Sequence, residues 1–141
     1  MSIRFAAAAL LVAVSASPAF AHLDPAEHGS FAAGFTHPVF GLDHVLAMIA
    51  VGLWAALAGG RAIWLLPTVF VGAMLTGFGL SLAGVPIPYV EPVILASVII
   101  LGLIVAAAVN LPSWLSVALV AVFGMCHGHA HGGEMGDAGW L

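Results

Sequence analysis

Four apolar runs, each ended by glycine or proline turns, constrain this chain more than any other feature. They cover about 40–58, 62–83, 93–109 and 114–131. A helix needs about 20 apolar residues to cross the hydrocarbon core of a bilayer, and these runs approach that length. No water is available there to satisfy the backbone, so each run must bond internally as a helix. Gly59-Gly60-Arg61 closes the first run as a tight turn. The stretch Gly84 to Pro92 reads as a proline-rich loop carrying Glu91. Asn110-Leu111-Pro112 leads into Ser113, which has the chemistry of a helix N-cap. The expected fold is all-α: a polytopic membrane helical bundle of about four spans. Only 6% of the 141 residues are charged and 63% are hydrophobic, against about 25% charged in soluble domains.

Residues 1–21 read as a secretory signal peptide. Arg4 supplies the charged start, Phe5 to Val14 the apolar centre, and Ala19-Phe20-Ala21 the small-x-small cleavage pattern; an uncleaved anchor is the alternative. Cleavage makes His22 the mature N-terminus on the exported side, and residues 22–141 form the transmembrane domain. The first span then runs inward and leaves Arg61 in the cytoplasm, in agreement with the positive-inside rule. The second span returns, the third enters and the fourth emerges. The start of the first span and the end of the fourth therefore share the exported face of a bacterial inner membrane. Pro38 suits the opening turn of the first span, and Pro67 lies near the start of the second. Gly72, Ala73, Gly77 and Gly79 have the spacing that lets membrane helices approach closely. Trp54, Trp64, Tyr89 and Trp114 fall near span ends, as interfacial aromatics do.

Ionisable groups are costly in a membrane segment and call for a functional reason. One cluster, His37, Asp43 and His44, heads the first span. Another, Cys126-His127-Gly128-His129-Ala130-His131-Gly132-Gly133-Glu134, ends the fourth. At 100° per residue His127 and His131 share a helix face, and Glu134 projects only about 20° from His127. His129 points nearly opposite and is a secondary candidate, as is His22, whose free amine beside an imidazole can chelate. His37 and His44 face the same way but stand about 10 Å apart along a regular helix, so they ligate one ion only if the segment unwinds, and otherwise form successive stations. Asp43 can complete a site or orient His44. Nitrogen and oxygen donors of this kind suit nickel, cobalt or zinc. The bland alternatives are packing histidines and an unstructured metal-scavenging tail.

Other chemistries fit less well. The lone Cys126 permits neither an internal disulfide nor a multi-cysteine site, and it suits packing. Seven His stand against two basic residues, a balance that favours a cationic ligand and excludes nucleic acid as a partner. No Walker-type phosphate loop is present, which argues against ATP-driven transport. No prosthetic group and no enzymatic reaction are expected.

The spacing His37-x5-Asp43-His44, paired with His127-Gly128-x-Ala130-His131-Gly132-x-Glu134, resembles the HupE/UreJ family of bacterial membrane proteins. Its first-span motif, HxxxxxDH, is matched fully. Its fourth-span motif, FHGxAHGxE, is matched except that Cys126 stands where the family usually has Phe. The resemblance covers nearly the whole chain. It implies a secondary permease for nickel, or sometimes cobalt, associated with hydrogenase and urease, with the matched His, Asp and Glu residues as metal ligands. The family usually has six mature spans, so the resemblance also implies that this chain is a fragment, a frameshifted product or a short form. Oligomerisation within the lipid would then help to enclose a pathway. The alternatives are a non-transporting metal-binding or delivery protein and a haem protein ligated by His44 and His131.

Overall fold

The computed structural model describes residues 42–137. Among them four helices follow one another: α1 (Leu42–Ala58), α2 (Ala62–Leu82), α3 (Val90–Ala106) and α4 (Ser113–Asp137). The second and fourth are long and apolar enough to cross a membrane; α1 and α3 are shorter apolar helices of 17 residues each. Seventeen residues still reach about 25 Å. The signal peptide, His22, Pro38 and His37 lie outside the described residues.

Each helix turns one stripe inward. On α1 it is His44, Ala47, Val51 and Trp54; on α3, Ile94, Ser97, Leu101 and Ile104; on α4, Ser116, Val120, Phe123 and His127. Steps of three and four residues keep such positions on one side of a helix. Leu66, Phe70 and Gly77 do the same for α2. The outer faces are equally apolar: Ile49, Leu53, Val71, Leu75, Ile99 and Leu103 are all exposed. A bundle apolar inside and out suits a lipid surround.

Neighbours in the bundle run α1–α2, α2–α4, α4–α3 and α3–α1. The α2–α4 contact is the closest, and its cause is compositional. Gly124, Gly128 and Gly132 form a ridge on α4 that lies directly on the α2 backbone. A methyl on Gly124 would sit 2.6 Å from the Phe70 carbonyl, and one on Gly128 would run into that of Met74. Small-residue ridges of this kind let membrane helices pack backbone to backbone.

The connections are tight. Gly84 (φ +72°) ends α2 in a Schellman arrangement, with its own N–H on Ser81 O and that of Val85 on Leu80 O, a geometry that glycine adopts without strain. At the end of α3 the same bonds form around Ala108 at φ +50°.

Four expectations change. Trp54 is not interfacial: it is 1% exposed and central to the core, whereas Trp64 and Trp114 are 79% and 71% exposed. Its register with Ala47 and Val51 turns it inward. Gly72 and Gly79 face open space; only Ala73 and Gly77 of that set meet α4. The third helix begins at Val90, so Glu91 and Pro92 belong to its first turn, where a missing N–H costs no intrahelical bond. Ser113 is the first helical residue rather than a cap; the N–H groups of Leu115 and Ser116 bond back to Pro112 O.

Candidate functional site

The opening turn of α1 and the last turns of α4 meet at one end of the bundle. Asp43 Oδ1 accepts the backbone N–H of His44 at 2.9 Å, as a carboxylate at a helix N-terminus readily does. The same oxygen lies 3.4 Å from His44 Nδ1. His44 Nε2 then faces His127 Nδ1 at 3.1 Å, across 83 positions of sequence. His127 is fully buried. Its Nε2 lies 2.9 Å from Ser97 Oγ, and the Ser97 hydroxyl donates to Ile94 O at 2.7 Å.

His131 completes the group. Its ring lies tilted against His44 with centroids 4.0 Å apart, while His44 meets His127 edge to face at 4.3 Å. His131 Nδ1 lies 3.7 Å from Glu134 Oε2. The Phe70 ring sits 5.9 Å from His127. The stripe expected on α4 is therefore formed, and α1 lays His44 against it.

Exposure falls along this group. The side chains of Glu134 and Asp43 are 50% and 25% exposed, whereas those of His131 and His44 are 13% and 6% exposed. His127 lies at the bottom. Carboxylates rim the cluster and imidazoles line its depth. Among the described residues, no three His, Cys, Asp or Glu side chains stand as a formed metal cage.

The other candidates fall elsewhere. His129 Nε2–H donates to Val85 O at 2.8 Å and ties α4 to the turn after α2. Cys126 is a free, buried thiol. Ser97 was not among the residues the motifs single out. The available signal was its hydroxyl, which stands alone in the apolar run of α3 after Glu91.

Four apolar helices around a buried histidine cluster rimmed by carboxylates define a membrane-type helical protein. The chain belongs to the HupE / UreJ protein family, whose profile matches residues 9–140. It is similar to protein HupE of Rhizobium leguminosarum bv. viciae, with 42% identity over 125 residues, which is 88% of this chain. The chain spans 65% of that curated relative's length. No solved structure matches it.

Proposed function

We propose that this chain forms the metal-capturing helices of a secondary permease for a divalent transition metal, nickel first and cobalt next. The permease would supply the maturation of hydrogenase or urease and catalyse no reaction of its own. The observation that carries this reading is the exposure gradient from Glu134 and Asp43 to His131, His44 and His127. The family membership supports it. The proposed ligands are His37, Asp43, His44, His127, His131 and Glu134, with His22 as a capture ligand; His129 is assigned to anchoring the turn. The bundle is multi-pass in the bacterial inner membrane, with the cluster on the exported face, which agrees with Arg61 at the opposite end.

Imidazole and carboxylate groups suit such a cargo, since a borderline divalent ion accepts mixed nitrogen and oxygen donors. Entry requires the His44–His127 contact of 3.1 Å to open, so that both rings turn their nitrogens to the ion. Binding thus breaks one internal hydrogen bond, moves its hydrogen from His44 Nε2 to Nδ1 beside Asp43 Oδ1, and gains two nitrogen ligands.

Radiolabelled nickel uptake into cells expressing the chain tests this reading, with His44→Ala plus His131→Ala as the comparison. Uptake that the double variant abolishes is expected. Full uptake by that variant overturns the reading. Saturable nickel binding by the purified chain without uptake replaces the permease with a membrane metal-binding protein.

A further inference from the structure

We infer that Ser97 is a positioning residue, which holds the His127 ring so that Nδ1 is the nitrogen presented to the cation. The inference rests on the proposed metal site and adds to it a residue from a third helix.

The hydrogen bonds form an ordered chain. Ser97 has one hydroxyl hydrogen and gives it to Ile94 O at 2.7 Å. Its oxygen is then an acceptor toward His127 Nε2 at 2.9 Å. A ring nitrogen facing that oxygen must carry the hydrogen. A neutral imidazole has one N–H, so Nδ1 is left with its lone pair. Nδ1 is the atom that faces His44 Nε2 at 3.1 Å, and a bare nitrogen is what a metal requires of histidine.

Burial makes this arrangement exclusive. Ser97 and His127 are both 0% exposed, so water is not available to bond Nε2 in place of the hydroxyl. Without Ser97, the Nε2–H would be buried beside apolar neighbours. The ring would then exchange tautomers or turn over, and the lone pair would no longer be fixed toward His44. Partners that orient a ligating imidazole typically change metal affinity by about 10–100-fold when removed.

The test uses the full chain in detergent, titrated with Co²⁺ while its visible ligand-field band is followed. The variants are Ser97→Ala, Ser97→Thr and His131→Ala. Nitrogen-15 spectra of histidine-labelled, metal-free protein report the His127 tautomer, with His127→Ala used for assignment. Ser97→Ala should weaken Co²⁺ binding about 10–100-fold, shift the band, and erase the Nε2–H signature of His127. Ser97→Thr, which restores the hydroxyl, should recover the tautomer. Unchanged affinity, band and tautomer in Ser97→Ala would overturn the assignment, as would a wild-type His127 protonated on Nδ1. If His131→Ala binds Co²⁺ like the wild type, or the wild type binds none, the metal site itself fails; the nitrogen signature alone then decides whether Ser97 orients His127.

Discussion

His44 Nε2 and His127 Nδ1 meet at 3.1 Å between α1 and α4, and the His131 ring closes on His44 from the next turn. The proposed site makes this pair joint ligands of one ion, and that reading has a thermodynamic signature. Removing His44 or His127 alone should each weaken nickel binding, and removing both should cost less than the sum. Residues in contact typically show coupling of about 0.5–3 kcal/mol. Calorimetric titration of the purified single and double variants measures it; strict additivity would mean that the two rings serve separate stations.

Packing of α2 on α4 depends on the absence of side chains at Gly128 and Gly124. Gly128→Ala places a methyl against the Met74 backbone, which cannot swing aside as a side chain can. The helices must separate, and overpacking of this kind costs about 1–3 kcal/mol or more. A clear drop in the thermal melting temperature in detergent is expected. Gly72→Ala is the control: nothing lies within 4 Å of its added methyl, and alanine favours a helix over glycine by about 1 kcal/mol. Equal melting of the two variants would refute the close approach.

Ala108 holds the left-handed position at the end of α3, where its turn bonds match those around Gly84. Ala108→Gly should therefore stabilise the chain, by about 1 kcal/mol, since the β-carbon strains this conformation. The site lies at the far end from the histidine cluster, so nickel binding should be unchanged. A lower melting temperature would contradict the backbone geometry.

His129 and His131 differ by two positions, yet one bonds the Val85 carbonyl and the other stacks on His44. His129→Ala should lower thermal stability modestly, by about 1 kcal/mol for a lost hydrogen bond, while leaving nickel uptake in place. His131→Ala should abolish uptake. Loss of uptake in both variants, with both proteins folded, would return His129 to the ligand set.

Much of this was legible locally. The apolar runs mark all four helices, and their alternating direction brings the start of α1 and the end of α4 to one end. The 100° step places His127, His131 and Glu134 on one stripe of α4. The helix starts were less legible: Pro92 reads as a breaker, yet it is harmless in a first turn.

Length and spacing along the chain thus determined the helices, their order and which polar groups share a face. Only the tertiary structure decided which way each helix turns. In a chain whose outer and inner faces are both apolar, hydrophobic periodicity cannot tell core from lipid. That is why Trp54 reads as interfacial but is buried, and why Gly72 and Gly77 look equivalent although only Gly77 meets α4. The partnership of Ser97, His127 and His44 arises for the same reason: three helices must be set in rotation before a lone hydroxyl acquires a histidine to orient.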